Sequence, residues 1–371
     1  MPDIVVIGGG VIGAALTYRL SRAGANVTLL EADVLGSGAS GSSFAWTNSS
    51  DKQPFEYHLL NSGGMGEHLV LSQEFGSAPW FHQVGNIEWT TPERRSALQD
   101  KVKRLHAWGY RAEFLTRTDL ADLEPDISLP PDVEQVVFYP DEGYIDGPLF
   151  VGSLLKAAER RGARVQTHSR VTHVVQEAGS VAGVVTADGG RIPADVVVSC
   201  IGRWSNELAE IADVEVPMAP DVGLLAITSP SPVGLRAVLH TPEVNLRPDG
   251  GGRMMIRAGE FDLRVQGDTP TVPVPDVCYE ILERAVKILP RLADTSIEAA
   301  RIAIRAIPGD SYPVVGPLPG WSGLYIITTH SGVSMAPLLA RMLTKEILTG
   351  EVDPRLATFR PERMATERAA D

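Results

Sequence analysis

Three glycines close to the start of the chain have the spacing of a phosphate-binding turn. Gly8, Gly10 and Gly13 form the pattern Gly-x-Gly-x-x-Gly directly after the apolar run at residues 4–7. The first glycine of such a pattern allows a tight turn, the second lets the backbone approach a pyrophosphate, and the third lets a helix pack closely on a strand. Glu31 follows at the end of the next apolar run, where a carboxylate can accept hydrogen bonds from the hydroxyls of an adenosine ribose. The pattern predicts that a dinucleotide binds across this turn.

The alternatives to this interpretation concern the ligand. A glycine-rich turn can exist without a ligand, but the strand and helix patterns on either side favour a binding site. The fingerprint does not separate FAD from NAD, since both carry adenosine diphosphate. It disfavours NADP, because the carboxylate of Glu31 would repel a 2′-phosphate.

The flanking residues predict the elements that hold the turn. Residues 4–7 and 27–30 are short β-branched runs typical of buried parallel strands, and residues 11–23 have the pattern of a helix. Residues 195–200 form a second buried run of this kind, and by itself this run is equally an ordinary central strand. In that strand Cys200 is interpreted as a small buried hydrophobe rather than a nucleophile.

The composition argues against several classes of function. The chain has 371 residues, enough for two interlocked domains, and a formal net charge of −13 that argues against nucleic acid or an anionic membrane surface as partner. Its two cysteines, Cys200 and Cys278, lie far apart and outside metal-ligand spacings, so no disulfide and no metal site is expected. No apolar run is long enough to cross a membrane and the start lacks a secretory signal pattern, so a cytoplasmic protein is expected.

Four blocks spread along the chain resemble the D-amino-acid oxidase, glycine oxidase and sarcosine oxidase family of FAD enzymes. The first is the glycine turn with Glu31, and the second is the run of small residues at 36–41, which resembles the loop over the pyrophosphate and flavin. The third, residues 195–205, resembles the family's second FAD-contacting strand and turn. The fourth runs from Arg305 to Pro337 and resembles the C-terminal segment whose backbone amides face the pyrimidine side of the flavin. Without its flanking motifs, the second block would leave a flexible solvent loop as the less favoured alternative.

The resemblance implies a noncovalent FAD. Sarcosine oxidases link the flavin to a cysteine in the C-terminal segment, and residues 308–311 of this chain contain none. The implied cofactor contacts come from the glycine turn, the loop after it, the second strand and turn, and the last helix start. These residues are Gly8, Gly10, Val11, Ile12, Gly13, Glu31, Ala32, Gly38, Ala39, Ser40, Ser43, Phe44, Ala45, Trp46, Val171, Cys200, Gly202, Trp204, Arg305, Ser331, Gly332, Val333, Ser334 and Met335.

The predicted fold class is α/β with an α+β substrate part. A Rossmann-like FAD-binding domain with a central parallel sheet would comprise residues 1–50, 141–215 and 305–371. An interleaved substrate-binding domain on a mixed or antiparallel sheet would comprise residues 51–140 and 216–304. Helices in the first of these two segments are expected to be short and polar, and the last helix is expected at about 336–348.

The resemblance also implies a reaction and two catalytic residues. Amine-oxidising members of the family use the neutral amine and generally need no strong side-chain base, but they bind the substrate carboxylate, for which a guanidinium fork is well suited. Arg305 aligns with the arginine of that role, the alternative being an arginine that is only ion-paired. His330 could hydrogen-bond the substrate, act as a base, or be structural. It replaces an arginine of glycine oxidases, which argues against glycine itself. Arg257 lies near the position of the oxygen-activating lysine of sarcosine oxidases, but is interpreted as an outward-facing strand residue.

Three functional hypotheses remain open at this point. The preferred one is oxidation of the C–N bond of an amino acid or related amine, with transfer of electrons to oxygen or another acceptor. The second is oxidation of a 2-hydroxy acid or another C–O bond, for which His330 would supply the base. The third is a flavoprotein subunit of a multicomponent dehydrogenase.

Overall fold

The computed structural model describes residues 1–76, 78–219, 221–265 and 275–366. Parts of the predicted domain segments, at residues 77, 220, 266–274 and 367–371, therefore lie outside the described residues. The α-helices are α1 Val11–Arg22, α2 Phe55–Glu74, α3 Arg95–Ala107, α4 Arg117–Leu123, α5 Gly147–Glu159, α6 Leu208–Ala212, α7 Val277–Ile288, α8 Gly332–Thr349 and α9 Arg363–Thr366. Short 3₁₀ helices span Pro92–Arg94, Gly202–Glu207, Gly259–Arg264, Pro290–Leu292 and Pro354–Phe359.

The strands form five sheets within these described ranges. They are β1 Asp3–Ile7, β2 Asn26–Leu30, β3 Trp46–Thr47, β4 Phe81–His82, β5 Asn86–Glu88, β6 Glu113–Leu115, β7 Val136–Tyr139, β8 Gly143–Ile145, β9 Arg164–Gln166, β10 Val171–Glu177, β11 Ser180–Thr186, β12 Arg191–Pro193, β13 Val196–Ser199, β14 Met218–Ala219, β15 Val222–Thr228, β16 Val238–His240, β17 Asn245–Pro248, β18 Met254–Arg257, β19 Ile297–Ile304, β20 Ile307–Pro308, β21 Val314–Pro317 and β22 Leu324–Thr328.

A six-stranded sheet with the order β21-β22-β13-β1-β2-β9 carries the glycine turn. β1 is central and pairs in parallel with both β2 and β13, while β21 is an antiparallel edge strand. Ile7 at the end of β1 is level with Leu30 and Ser199, so the carboxyl ends of the three strands meet at one edge. In open parallel sheets ligands bind in the crevice at this edge. The predicted central parallel sheet is confirmed.

A second sheet of eight strands faces this edge. Its order is β19-β15-β18-β17-β16-β5-β7-β6, and apart from the parallel pair β16–β5 its neighbours are antiparallel. Alternate residues of β18 face opposite ways: Ile256 joins the core under α7, while Met255 joins a small cluster with Leu225 on the other face. The mixed sheet and the predicted fold class are confirmed. The division into two domains stays a prediction. Residues 55–81, assigned to the substrate-binding domain, pack with α1, α5 and α8 in the hydrophobic core that also contains β1 and β2.

The expectation of short, polar helices in residues 51–140 is wrong for α2. This helix has 20 residues and packs along α8. Its glycines hide the helical pattern of apolar residues, yet they allow close packing. A Cβ at Gly64 would lie 2.2 Å from the carbonyl oxygen of Ser334. The glycine is thus needed for the contact between the two helices.

The expected start of α8 is also too late. The helix begins at Gly332 rather than at Ala336, and it contains Pro337. Proline has no N–H to donate to the carbonyl four residues earlier, which here belongs to Val333. Nε2 of His68, from α2, donates to that carbonyl at 2.9 Å instead. A donor distant in sequence thus replaces the missing hydrogen bond.

Candidate active site

A cavity of about 640 Å³ lies between the carboxyl edge of the six-stranded sheet and one face of the eight-stranded sheet. This volume is in the usual range for small-molecule sites. The predicted residues that line it are Gly8, Gly10, Val11, Ile12, Glu31, Ala32, Gly38, Ala39, Ser40, Ser43, Phe44, Ala45, Trp46, Val171, Cys200, Gly202, Trp204, Arg305, His330, Ser331, Gly332, Val333 and Ser334.

Two predicted contact residues, Gly13 and Met335, do not line the cavity. A Cβ at Gly13 would lie 1.9 Å from the carbonyl oxygen of Gly8, so this glycine allows the approach of helix to turn. Met335 is fully buried in the core around α1 and α8. Gly13 on α1 and Met335 on α8 therefore lie behind the cavity wall and do not face the cavity.

The amides of the glycine turn are only partly used within the described residues: those of Gly8, Gly9 and Val11 donate to Leu30, Glu31 and Ser40, which leaves those of Gly10 and Ile12 for a ligand. Gly8 has a φ of +104°, and a Cβ there would lie 2.6 Å from the carbonyl oxygen of Cys200. Gly10 is the N-cap of α1 and provides no side-chain cap. The first turn of a helix has amides without intrahelical partners and a positive dipole end, both of which favour a phosphate. Only glycine satisfies the geometry at Gly8.

The carboxylate of Glu31 is held in a fixed orientation beside this turn. Oε2 accepts from the backbone N–H of Gly9 at 2.7 Å, and Oε1 accepts from that of Asp33 at 2.9 Å. A carboxylate has about four acceptor positions, so two bonds leave capacity for hydroxyl donors. Glu31 can therefore serve as a pre-oriented diol acceptor at the end of β2.

The loop between β2 and β3 is hydrogen-bonded to α1 and to the eight-stranded sheet. Oγ of Ser40 accepts from the N–H of Val11 at 3.0 Å, which connects the loop to α1. From the eight-stranded sheet, Arg301 donates to the carbonyl of Gly41 at 2.9 Å and Nε of Arg247 donates to that of Phe44 at 2.5 Å. The loop over the cavity is thus positioned by the second sheet and is not a free solvent loop.

The first turn of α8 forms another wall. Ser331 and the next three residues line the cavity, and the Ser331 hydroxyl lies 2.6 Å from the hydroxyl of Tyr57. The helix makes no side-chain cap at its start. Its first amides are therefore available to an acceptor, and the hydrogen bond from His68 keeps the turn in place.

Cys200 lies in the wall under the glycine turn. Burial raises the pKa of its thiol well above the usual range, so the thiol stays protonated. This agrees with a small buried side chain rather than a nucleophile.

Two arginines, each paired with a carboxylate, line the end of the cavity formed by the eight-stranded sheet. Arg305 donates from its two terminal nitrogens to Asp221 and to Asp262, the latter at 2.5 Å. Arg257 donates to the same oxygen of Asp262 at 2.8 Å and lines the cavity. The interpretation of Arg257 as outward-facing is wrong, since this face of the strand is covered by the glycine-turn half of the molecule.

A second group of charges was missed in the sequence. Asp51 and Lys52 line the cavity just after β3. Burial alone would raise the pKa of Asp51, but the ammonium group of Lys101, which also donates to this carboxylate, outweighs burial and lowers it. Burial lowers the pKa of Lys52. Trp46, which also lines the cavity, stacks on His240 with ring centroids 5.0 Å apart. The only sequence signal for this group was its position directly after the small-residue loop.

His330 is neutral over most of the pH range. Burial, together with the positive charges of Lys52 and Arg305, lowers the pKa of its imidazole to about 4. A neutral imidazole has one nitrogen that accepts and one that donates a hydrogen bond. It can therefore orient a polar group by a hydrogen bond at neutral pH, but with this pKa it is a weak base.

The remaining cavity residues were not among the predicted contacts. Most are small or apolar and give no signal of function in a sequence. They are Ile7, Leu30, Asp33, Gly36, Ser37, Ser42, Asn48, Asp51, Lys52, Ser169, Arg170, Ile201, Arg203, Glu207, Ile211, Gly223, Leu225, Arg257, Ala303, Ala306 and Thr329. Within the described ranges, no group of three or more His, Cys, Asp or Glu residues is arranged to hold a metal ion. None of the described helices combines the length and apolarity needed to span a bilayer.

Comparison with known proteins identifies the family. The profile of the DAO family, described as "FAD dependent oxidoreductase", matches residues 3–346, so the chain belongs to this family and is an FAD-dependent oxidoreductase. A glycine oxidase of Geobacillus kaustophilus is 24% identical over 96% of each chain. An opine oxidase subunit of Agrobacterium tumefaciens is 22% identical over 99% of each chain. The crystal structure of glycine oxidase from Geobacillus kaustophilus superposes with a TM-score of 0.86 at 21% identity, covering 97% of this chain and 98% of the other. The family resemblance seen in the sequence is confirmed.

The geometry of the cavity fits the family's cofactor. At Gly8 an added Cβ would collide with the neighbouring strand, so the turn presents bare backbone. The carboxylate of Glu31 is held by two backbone N–H groups at the end of β2, and two helix starts, at Gly10 and Ser331, lie at separate walls. An adenosine diphosphate at the first and a flavin ring at the second would use donors and acceptors that are already in place.

Proposed function

We propose that this protein oxidises the C–N bond of an amino acid or a related amine with a noncovalently bound FAD. The observation that carries the proposal is one continuous cavity lined by the glycine turn and Glu31 on one side and by Lys52, Arg257, Arg305 and His330 on another. The names of the relatives agree with this substrate class, since one acts on glycine and another is an opine oxidase subunit.

The residues that line the cavity walls define the proposed cofactor contacts. Glu31 would accept from the ribose hydroxyls, and the amides of Gly10 and Ile12 would face the pyrophosphate, since that of Val11 donates to Ser40. Residues 331–334 would present backbone amides to the flavin. A covalent link is not proposed, because Cys200 lies below the glycine turn with its thiol protonated and Cys278 lies on the buried face of α7.

The reaction would convert an amine into an imine. FAD, when bound, would supply the two-electron acceptor for the hydride lost from the substrate carbon, and the amine loses one proton as C=N forms. The protein's own contribution is to bind the substrate, exclude water and keep a neutral His330 at the cavity wall. If oxygen is the final acceptor, the product of its two-electron reduction is hydrogen peroxide.

The test is anaerobic addition of an amine panel to the purified yellow protein. Loss of the flavin absorption band with an amino acid or secondary amine supports the proposal, and an imine-derived carbonyl should appear in equal amount. Steady turnover in air by the isolated chain would favour an oxidase over a subunit that needs a partner. No bleaching by any amine would contradict the proposal.

Oxidation of a C–O bond is the second candidate, because His330 lines the cavity. An alcohol must lose its hydroxyl proton, and His330 is the cavity residue proposed to accept it. Burial lowers the pKa of this imidazole to about 4, so it is unprotonated at neutral pH but a weak base. The variant His330→Gln separates the two. An amine oxidase should keep most of its flavin reduction rate in this variant, whereas a hydroxy-acid dehydrogenase should lose about 100-fold or more.

The protein is further proposed to work in a reducing, cytoplasmic environment. Both cysteines are free and buried. The proposed partners are a small amine or amino acid and oxygen or another electron acceptor.

A further inference from the structure

The two arginines of the cavity are linked through one carboxylate. Arg257 and Arg305 both donate to Oδ2 of Asp262, at 2.8 and 2.5 Å. Asp262 is buried, with 6% exposure, and its other oxygen accepts from the backbone N–H of Leu224 at 2.9 Å. Asp262 is thus fixed to β15 and holds both guanidinium groups in place.

The two guanidinium groups differ in how many donors they have left. Arg305 uses both terminal nitrogens, one for Asp221 and one for Asp262. Arg257 uses only one terminal nitrogen, so its other terminal nitrogen and Nε make no hydrogen bond within the described residues. A carboxylate needs two adjacent N–H donors for the strong bidentate contact. Arg257 offers more of them than Arg305.

The position of the two side chains supports the same distinction. Arg305 lies against the backbone of Gly223, where an added Cβ would be 2.8 Å from its terminal nitrogen. It also lines a surface groove beside Trp204, so it forms part of the wall between cavity and groove. Arg257 ends β18 on the face that carries Met255 and lines the cavity but not the groove. Arg257 therefore faces the interior of the site.

From this geometry we infer that Arg257, and not Arg305, binds the substrate carboxylate. Asp262 and Arg305 are positioning residues: Asp262 orients the Arg257 fork, and the ion pairs of Arg305 with Asp221 and Asp262 fix Asp262. The substrate class is thereby narrowed to amines that carry a carboxylate. This inference rests on the proposed amine oxidation and revises the role expected for Arg305.

Lys52 is the rival for the carboxylate. It lines the cavity, and no carboxylate of the described residues lies within ion-pair distance of its ammonium group, but burial lowers its pKa. An ammonium is a point charge without a planar fork, whereas a guanidinium stays charged and matches two carboxylate oxygens. The variant Lys52→Met belongs in the test for this reason.

The experiment compares an amino acid that bleaches the flavin with the same amine lacking the carboxylate. Anaerobic stopped-flow reduction gives the apparent Kd and the limiting rate for each, in wild type and in Arg257→Gln, Arg257→Lys, Arg305→Gln, Asp262→Asn and Lys52→Met. Arg253→Gln is the matched control, since Arg253 lies on the same hairpin and pairs with Glu298 at the surface.

In Arg257→Gln the Kd for the amino acid should rise about 10- to 100-fold, the value of a charge-assisted bidentate contact, with the carboxylate-free amine unchanged. Arg257→Lys should recover only part of this loss. Arg305→Gln and Asp262→Asn should show a smaller loss that is again confined to the amino acid. A larger carboxylate-specific loss in Arg305→Gln or Lys52→Met, or no preference of the wild type for the amino acid, overturns the inference.

Binding of benzoate, with benzamide as its uncharged control, separates this inference from the proposed function. The flavin spectrum of the FAD-loaded protein reports binding without turnover. If no amine reduces the flavin, the proposed function fails, while weaker benzoate binding in Arg257→Gln still supports the carboxylate site. Equal binding of benzoate and benzamide by the wild type contradicts it.

Discussion

Replacing His68 by phenylalanine should destabilise the protein by leaving one carbonyl of α8 without its donor. The His68 ring is fully buried, stacks on Phe81 with centroids 5.2 Å apart and contacts Phe150 at 5.5 Å. Phenylalanine keeps these ring contacts and removes Nε2, which donates to the carbonyl of Val333, together with Nδ1, which is buried and makes no hydrogen bond within the described residues. Pro337 has no N–H that could replace it. An unsatisfied, partly buried carbonyl costs about 1–2 kcal/mol of unfolding free energy.

The pH dependence provides a second, independent signature. Burial lowers the pKa of His68 to about 4, from an ordinary value near 6.5. Between these values the unfolded state binds a proton that the folded state does not, so the wild type loses about 1.4 kcal/mol per pH unit as the pH falls through this window. His68→Phe has no such loss. The stability difference should therefore shrink below about pH 6.5 and reverse between about pH 5 and pH 6.

Urea unfolding followed by circular dichroism between pH 4.5 and 7.5 (in steps of about half a unit) tests both statements, with and without saturating FAD. Because residues 331–334 line the cavity, the Kd for FAD should also rise in the variant. His106→Phe is the control, since it removes a similar histidine-to-carbonyl bond, of 2.7 Å, at an exposed histidine without a proline. Equal stability of His68→Phe and wild type at pH 7, or a difference that does not change with pH, would refute the reasoning.

Two further predictions concern the cofactor. Glu31→Gln should weaken FAD binding by about 10-fold or more, because an amide cannot accept from both backbone N–H groups and both ribose hydroxyls, and fluorescence titration of the apoprotein checks this. An unchanged Kd would show that the carboxylate does not meet the ribose. Arg301→Gln should release the carbonyl of Gly41 and speed FAD dissociation several-fold at nearly constant thermal stability, whereas Arg253→Gln should change neither. If FAD leaves Arg301→Gln at the wild-type rate, the sheet does not control the loop.

Much of the glycine turn and of the six-stranded sheet could be predicted from the sequence. The glycine turn was predictable because its requirements are local: a positive φ at Gly8 and the absence of a Cβ at Gly13 are steric facts about neighbouring residues. The buried β-branched runs of β1, β2 and β13 specified a parallel sheet by composition alone. Glu31 followed from its distance to the turn.

The tertiary structure decided what depended on distant partners. Glycines hid the length of α2 in the sequence, because the reason for them is visible only in the contact between Gly64 and α8. The early start of α8 depends on the hydrogen bond that His68 donates to Val333, 265 residues away. The orientation of Arg257 depends on which face of β18 is covered, and strand alternation alone does not reveal that. The division of roles between Arg257 and Arg305 depends on Asp262, which shares its oxygen with both. A sequence determines local steric requirements. It does not determine which hydrogen-bond donor pairs with which acceptor, because the competing partners come together only when the chain has folded.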